Sequence, residues 1–229
     1  MGTSSKSKNF AHQQYSVHAF ARIALLFSLS VFYIEGFDAQ AVDAQTIDFG
    51  GTASTVNGSS AAVAGGHGNV AGADWAFVGG GSGNSAMGSI STVMGGMINE
   101  ATGFASFVVG GTNNHADAYC SSVLGGTQNS ATGFYSSVAS GKLNSAQGVS
   151  SFVGGGNKNK ALAYASFVGG GWGNHALGLY NVVGGGSQNT AATSPYTTIG
   201  GGQLNTARAY HATIGGGRQN TADGVYATV

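Results

Sequence analysis

An asparagine recurs every fifteen residues through most of this chain. The series is Asn69, Asn84, Asn99, Asn114, Asn129, Asn144, Asn159, Asn174 and Asn189, and after one additional residue it continues at Asn205 and Asn220. The additional residue falls in "TAATSPYTT", the segment that contains the only proline, Pro195. A fixed period this short is typical of a solenoid, in which each repeat is one coil that stacks on the next.

Three further positions of the repeat are restricted. An alanine stands two residues after each Asn, and a small residue, most often serine, stands eight residues before it in every repeat but that of Asn189. Six residues before each Asn stands a β-branched aliphatic residue: Val63, Val78, Val93, Val108, Val123, Val138, Val153, Val168, Val183, Ile199 or Ile214. The unit is S-x-V-x-G-G-x-x-N-x-A-x-G-x-x, and it occurs eleven times.

Restricted positions two residues apart indicate β-strands, because alternate side chains of a strand point to the same face. Each unit therefore predicts two short strands joined by glycine-rich turns, in which a positive φ is cheap for glycine alone. We predict an all-β fold, a parallel β-roll or β-solenoid of about a dozen coils. Stacking would convert the Asn column into a ladder of amides that bond to the amides above and below. The residue added near Pro195 should bulge from a turn and leave both strand ladders intact.

The outward positions of the two strands differ in polarity. Those beside the Asn-Ala strand are mostly polar, with Glu100, His115 and Lys160 among them. Those beside the Ser-Val strand carry an apolar series that we predict to be an oligomer face: Phe77, Phe107, Phe152 and Phe167. A core of small residues buries little apolar area. Association of several chains along this apolar face would bury more, and we therefore favour it.

Composition argues against several classes of function. Eight basic and eight acidic residues give a net charge of zero, so nucleic-acid binding is not expected. The glycine triplets recur too often to be phosphate-binding loops and are not followed by the Lys-Ser/Thr pair of a P-loop. We expect no enzymatic activity, catalytic residue, cofactor, metal site or small-molecule substrate. His67, His115, His175 and His211 read as isolated surface residues, and Cys120 has no disulfide partner because it is the only cysteine.

The N-terminal segment has a different composition. Basic residues precede the apolar run Ile23–Ile34, and Ala39-Gln40-Ala41 follows it. These are the parts of a secretory signal peptide, and twelve apolar residues are fewer than the roughly 20 that span a bilayer. We therefore predict a signal peptide over 1–41, an N-terminal segment with a degenerate capping coil over 42–62, and the β-roll repeats over 63–229. The predicted location is secreted or at the cell surface, where Asn57 would be the one glycosylation sequon.

The repeat resembles the head repeats of YadA-like trimeric autotransporter adhesins, whose pattern is close to G-x-x-S-x-A-x-G-x-x-A-x-A. The likeness is carried by stretches such as "GFASFVVGGTNNHADA" and "GVSSFVGGGNKNKALA", and it extends over about residues 48–229. It implies a left-handed β-roll, a homotrimer and binding to host surfaces or matrix. The period here is fifteen residues and not the usual fourteen. No heptad stalk or C-terminal membrane barrel occurs in these residues, so the resemblance implies the head fold and not autotransport.

The sequence thus predicts a secreted or cell-surface structural and adhesive repeat protein whose partners are two further copies and a surface or matrix ligand. Two alternatives remain. One is an ice-binding β-solenoid, since Thr190, Thr206 and Thr221 share one outward column and Thr198, Thr213 and Thr228 share another. The other is a fibre or spike spacer without adhesive activity of its own.

Overall fold

A computed structural model of the chain describes residues 47–48 and 51–229. The predicted signal peptide, 1–41, lies outside the described residues. The described residues all belong to one compact unit. The described residues contain strands, turns and bends but no helix, so they include no apolar helix long enough to cross a membrane.

One sheet, here called the valine sheet, has twelve parallel two-residue strands, the odd-numbered ones in chain order. They are β1 (Ile47–Asp48), β3 (Ala62–Val63), β5 (Phe77–Val78), β7 (Thr92–Val93), β9 (Phe107–Val108), β11 (Ser122–Val123), β13 (Ser137–Val138), β15 (Phe152–Val153), β17 (Phe167–Val168), β19 (Val182–Val183), β21 (Thr198–Ile199) and β23 (Thr213–Ile214).

The other sheet, here called the alanine sheet, contains the twelve even-numbered strands. They are β2 (Thr55–Val56), β4 (Val70–Ala71), β6 (Ser85–Ala86), β8 (Glu100–Ala101), β10 (His115–Ala116), β12 (Ser130–Ala131), β14 (Ser145–Ala146), β16 (Lys160–Ala161), β18 (His175–Ala176), β20 (Thr190–Ala191), β22 (Thr206–Ala207) and β24 (Thr221–Ala222).

The register places each repeat position on the same position of the next coil. Val123, for example, pairs with Val108 on one side and Val138 on the other. Each coil contributes one strand to each sheet before the chain continues into the next coil, which is the arrangement of a β-solenoid. The predicted all-β solenoid of fifteen-residue coils is confirmed, while its left-handed sense stays a prediction. Ile47 pairs with Ala62 and Thr55 pairs with Val70, so strands of both sheets occur within the segment where we predicted a capping coil.

The additional residue near Pro195 lies in the turn between β20 and β21. Val182 pairs with Thr198, and Thr190 pairs with Thr206, so both partners are sixteen residues apart in sequence and both sheets remain in register. The turn accommodates the insertion without a break in either sheet, as expected from its position.

The core lies between the two sheets and is only a few side chains wide. The inward residues of the valine sheet, from Val63 to Ile214, are fully buried, as are the inward alanines from Ala71 to Ala207. Each coil therefore buries one β-branched side chain against one methyl group. No large side chain has room in such a core, which explains why the bulky residues lie on the outside.

The turns differ from our prediction because they use positive φ at many residues other than glycine. Among the residues that the structure describes, twenty-one other than glycine have a positive φ, and they include β-branched Ile90 and Ile98 and aromatic Trp75 and Tyr135. Each of them stands at the repeat position directly before the Asn or at the repeat position directly before the buried residue that precedes a valine-sheet strand. Their backbone N–H groups point back to the preceding coil; that of Ile98, for example, donates to Ser82 O at 2.9 Å. The ladder of hydrogen bonds thus maintains a conformation that these side chains disfavour.

Close approach of backbone and a positive φ together require glycine at one turn position. Gly111 has a φ of +90°, and a Cβ added there would lie 2.1 Å from the carbonyl oxygen of Gly126 in the next coil. The neighbouring Gly110 has free space, since the nearest atom to an added Cβ would be 3.8 Å away. The equivalent of Gly110 in another coil is Ser140, whereas the equivalent of Gly111 is glycine in every one of the eleven repeats. Only the second glycine of each pair is therefore dictated by the stacking of coils.

Candidate functional surfaces

The Asn column is a structural element of the turn that leads into the alanine sheet. Ten of its members, from Asn69 to Asn205, are buried, and Asn220 is partly buried. The amide nitrogen of Asn129 donates to Gly125 O in its own coil at 2.9 Å and to Gly141 O in the next coil at 2.8 Å. Its amide oxygen accepts from the backbone N–H of Asn144 at 3.0 Å. Every polar atom of this side chain is thereby paired.

The predicted pairing of amide with amide was wrong. Each Asn side chain bonds to backbone groups of its own coil and of the next coil, and not to the neighbouring side chain. The carbonyl group of Gly125 accepts from the amide of Asn129, and that of Gly141 accepts from the amide as well as from the backbone N–H of Thr127 at 2.8 Å. The column therefore closes the turn and joins adjacent coils at the same time.

The buried serine column is less completely bonded than the Asn column. The hydroxyl groups of Ser121 and Ser166 donate to the carbonyl groups of Ala118 and Ala163, three residues earlier. Where glycine stands three residues earlier, the buried hydroxyl has no protein partner, as at Ser91, Ser106, Ser136 and Ser151. The serines are therefore small core residues, and they do not assemble with a histidine and an aspartate.

The four phenylalanines of the predicted oligomer face lie in one outward column of the valine sheet but do not form one stripe. Phe152 and Phe167 stack with ring centroids 5.5 Å apart. Phe107 lies between Thr92 and Ser122 in adjacent coils. Of the four, only Phe167 is classed as exposed, at 37%; Phe77, Phe107 and Phe152 are half-buried.

A more continuous apolar surface surrounds Phe107. Met94, Val109 and Leu124 follow one another on three consecutive coils, two residues beyond the outward residues Thr92, Phe107 and Ser122. Their exposed fractions are 50%, 40% and 49%. We call Met94, Phe107, Val109 and Leu124 the apolar patch.

The outward face of the alanine sheet carries a small polar cluster that the sequence reasoning missed. His115 Nδ1 lies 3.2 Å from Glu100 Oε2, and Asp117 accepts a hydrogen bond of 2.9 Å from the hydroxyl group of Thr102. Glu100, His115 and Asp117 offer three ligand atoms within 4.8 Å of one another, so these residues could hold a divalent cation. His115 was thus wrongly read as isolated. The signal was the repeat itself, since Glu100 stands fifteen residues before His115 and is its neighbour in the preceding coil.

Two further charged contacts lie on the same face. His175 lies beside Lys160 of the preceding coil, and partial burial, followed by the charge of Lys160, lowers the pKa of His175 below its ordinary 6.5. Arg208 binds the exposed carboxylate of Asp223 at 3.1 Å. The face is therefore mostly polar, as predicted, and it carries charges of both signs.

The most exposed large side chains gather at the turn that follows each alanine-sheet strand. We call this turn column the aromatic edge. It consists of Trp75, Phe104, Tyr119, Phe134, Tyr135, Tyr164, Tyr180, Tyr196, Tyr210, His211 and Tyr226. Tyr226 is 69% exposed and Trp75 is 66% exposed, more than any phenylalanine of the predicted oligomer face.

Rings of adjacent coils contact one another along this edge. Tyr180 and Tyr196 are parallel, with centroids 5.0 Å apart. His211 stacks on Tyr196 at 4.8 Å and on Tyr226 at 5.2 Å, so it too was wrongly read as isolated. Desolvation and the neighbouring hydroxyl groups of Tyr164 and Tyr196 raise the pKa of Tyr180 above 10.0. The Cys120 thiol, and then Tyr135, raise the pKa of Tyr119 in the same direction.

Comparisons with known proteins do not assign a family to this chain. No protein-family model matches it, and no curated protein is significantly similar to it. The surfaces described above are therefore the basis on which a function can be argued.

Proposed function

We propose that the chain is a secreted or cell-surface structural and adhesive repeat protein that assembles as a homotrimer. The observation that carries the proposal is the uneven outer surface of the solenoid. One sheet bears the apolar patch, the other bears polar and charged residues, and the turn between them bears exposed aromatic rings.

The assembly part of the proposal rests on the apolar patch. Met94, Val109 and Leu124 are each about half exposed around the partly buried Phe107. A contiguous apolar surface of this kind is typical of protein interfaces, because burying it removes apolar area from water. Two further copies of the same chain are the proposed partners. The resemblance to trimeric adhesin heads supports the number three.

The adhesive part rests on the aromatic edge. Exposed tyrosine and tryptophan are enriched at protein interfaces, because a rigid ring offers much contact area at a low cost in conformational entropy. Trp75, Tyr135 and Tyr226 are all more than half exposed, and assembly through the valine sheet would leave this edge open. We therefore expect the protein to bind a matrix or cell surface through these rings.

The adhesive role is tested by binding of the purified protein to immobilised extracellular matrix and to whole cells. Replacing Trp75, Tyr135 and Tyr226 together by serine should abolish binding, because these three side chains are exposed and outside the core. A matched triple variant on the alanine sheet, Met87→Ser, Ser130→Ala and Ser145→Ala, should bind as the unchanged protein does. Absence of binding by the unchanged protein would leave a spacer without adhesive activity.

The secreted location rests on the predicted signal peptide, which lies outside the described residues. N-terminal sequencing of the native protein should give a mature chain that begins near Val42. A native chain that begins at Met1 or Gly2 in a cytosolic fraction would contradict secretion.

Ice binding is the second candidate, because threonine ladders occupy both sheets in the last coils. Thr190, Thr206 and Thr221 pair in register on the alanine sheet, and Thr198, Thr213 and Thr228 pair on the other side. Such an array is regular but short, since Lys160 and His175 occupy the first column in the preceding coils. A measurement of thermal hysteresis decides this candidate, and its absence would eliminate ice binding.

A further inference from the structure

The tyrosines of this protein are confined to one part of the coil. The chain has nine tyrosines, of which Tyr15 and Tyr33 lie outside the described residues. All the others are on the aromatic edge, at two adjacent positions of the fifteen: Tyr119, Tyr135, Tyr164, Tyr180, Tyr196, Tyr210 and Tyr226. From Tyr164 to Tyr226, every coil contributes one tyrosine. The result is an uninterrupted column of phenol rings over five coils.

Each ring of this column contacts the ring in the next coil. The centroid distances are 5.3 Å for Tyr164 and Tyr180, 5.0 Å for Tyr180 and Tyr196, 5.7 Å for Tyr196 and Tyr210, and 6.1 Å for Tyr210 and Tyr226. A separate pair, Tyr119 and Tyr135, has centroids 5.4 Å apart. All these rings are at least 40% exposed, so reagents in solution can reach them.

The requirements of the fold do not explain why these residues are tyrosine. The residues at the positive-φ position of this turn include Tyr180 and Tyr196, but also Ser60, Ala105 and Ala165 in other coils. Phenylalanine supplies the ring contact where it occurs, as at Phe104, which stacks on Tyr119 at 5.2 Å. The rings do not fill the core. The hydroxyl group therefore calls for an explanation beyond packing.

We propose that adjacent tyrosines of the aromatic edge are a site of oxidative coupling, in which neighbouring coils are joined by dityrosine. The co-reactant is hydrogen peroxide, used by a haem peroxidase or a comparable one-electron oxidant. Exposed phenols that contact one another across successive coils are the substrates. The pairs are Tyr164 with Tyr180, Tyr180 with Tyr196, Tyr196 with Tyr210, Tyr210 with Tyr226, and Tyr119 with Tyr135.

The reaction balances in two stages. Each phenol of a pair loses one electron to the oxidant and one proton to solvent, which gives two phenoxyl radicals. A carbon–carbon bond forms between the ring carbons ortho to the two oxygens, and the hydrogens on these carbons move as protons to the oxygens, which restores both phenols. Two tyrosines and one hydrogen peroxide thus give one dityrosine and two waters.

The fold favours coupling within one molecule. Coils are bonded to one another in fixed register, so the rings of Tyr180 and Tyr196 are in contact before any radical forms. Two radicals on one solenoid therefore meet without diffusion of the protein. The raised pKa of Tyr180, caused partly by Tyr164 and Tyr196, agrees with closely spaced phenol groups. Each new bond would link residues fourteen to sixteen positions apart and would staple adjacent coils.

The test treats the dilute, purified full chain with hydrogen peroxide and a haem peroxidase. Dityrosine fluorescence should appear while the chain remains monomeric on a denaturing gel. Mass spectrometry after proteolysis should identify peptides joined through the named pairs, each with a mass lower by two hydrogens. Absence of dityrosine, coupling between molecules alone, or coupling between tyrosines that are not in adjacent coils would overturn the proposal.

A double variant provides the matched control. Tyr180→Phe with Tyr196→Phe keeps both rings and removes the phenols, so the thermal unfolding midpoint should be unchanged. Links that involve Tyr164 should disappear, whereas those of Tyr210 with Tyr226 and of Tyr119 with Tyr135 should persist. Loss of these two remaining links in the folded variant would contradict coupling between preformed neighbours. The outcome does not depend on whether the protein proves to be adhesive.

Discussion

The side-chain oxygen of Asn114 accepts a hydrogen bond from the backbone N–H of Asn129, one coil further along the chain, at 2.9 Å. The same bond occurs from Asn129 to Asn144 and in each following coil to Asn220. A single amide thus bonds to one backbone N–H and to two turn carbonyl groups, as Asn129 does with Asn144, Gly125 and Gly141. The stability of each coil depends on the Asn of the coil before it.

Replacing one central Asn should be costly. Asn129→Ala removes three hydrogen bonds and leaves the buried N–H of Asn144 without its acceptor. We expect the free energy of unfolding to fall by about 3 kcal/mol, because net hydrogen bonds contribute about 1 kcal/mol each and an orphaned buried group costs more. Denaturant unfolding measures this. The neighbouring Ser130→Ala, on the outward face, should change it by less than about 0.5 kcal/mol. Equal effects of the two changes would contradict the role of the amide.

Two adjacent glycines should respond differently to the same substitution. Gly111→Ala forces a Cβ to 2.1 Å from Gly126 O, at a φ of +90°. We expect the free energy of unfolding to fall by more than about 2 kcal/mol. Gly110→Ala adds a methyl group with no atom nearer than 3.8 Å, and should be nearly neutral. Thermal melts of the two variants provide the comparison. If Gly111→Ala left the unfolding midpoint unchanged, the coils could separate locally at no cost in free energy.

Ile98 offers a route to a more stable protein. Its φ of +57° is unfavourable for a β-branched residue, whereas Asn113 holds the equivalent position in the next coil at +55°. Ile98→Asn should therefore raise the free energy of unfolding by about 1 kcal/mol.

Adding a side chain at the equivalent glycine tests the energetic cost of the positive φ alone. At Gly83, the equivalent position in the preceding coil, an added Cβ would meet only Ile98, at 3.7 Å. Gly83→Ala should therefore lower the free energy of unfolding by about 1 to 2 kcal/mol, although its Cβ meets no steric clash. If both changes were neutral in chemical denaturation, the positive φ would carry no strain.

His175 should make stability depend on pH. Burial and Lys160 lower its pKa below 6.5, and Thr190, its partner on the other side, carries no charge. The unfolded chain therefore binds the proton more readily than the folded chain, and stability falls as the pH drops through 6.5 toward the lower folded-state pKa. Above this range the contribution is constant. His175→Gln should remove this part of the pH dependence, measured as the unfolding midpoint between pH 8 and pH 5, approximate limits that bracket the ordinary pKa. An unchanged profile would contradict the prediction.

The repeat period predicted the strands and their register. With a fixed period of fifteen residues, only one register places each repeat position on the equivalent position of the next coil. Val123 therefore faces Val108 and Val138, and the insertion near Pro195 could be assigned to a turn before the structure was known. The strand pairs follow directly from spacing, since alternation of side chains is a local property of the backbone.

Side-chain contacts were harder to predict from the sequence than the strands. The bonds of Asn129 to Gly125 and Gly141 depend on where the turn directs its carbonyl groups, and residue spacing does not reveal this. The contact of His115 with Glu100 could have been predicted, because positions fifteen residues apart lie in adjacent coils. Positive φ at Ile98 could not be predicted, because its intrinsic preference opposes it and only the ladder to the preceding coil maintains it.

The apolar patch should control assembly. Leu124→Ser with Val109→Ser removes two side chains that are 49% and 40% exposed, so the fold should survive while association weakens. Met87→Ser, at a residue 50% exposed beyond the alanine sheet, is the matched control and should assemble normally. Light scattering of the three proteins at equal concentration makes the comparison. Equal assembly of all three would exclude the patch as the interface.

Sedimentation equilibrium of the purified protein tests the central proposal most directly, because it measures molar mass without assuming a shape. We predict three times the mass of one chain, with dissociation in the Leu124→Ser, Val109→Ser variant. A folded protein that sediments with the mass of a single chain at every concentration would contradict the trimer.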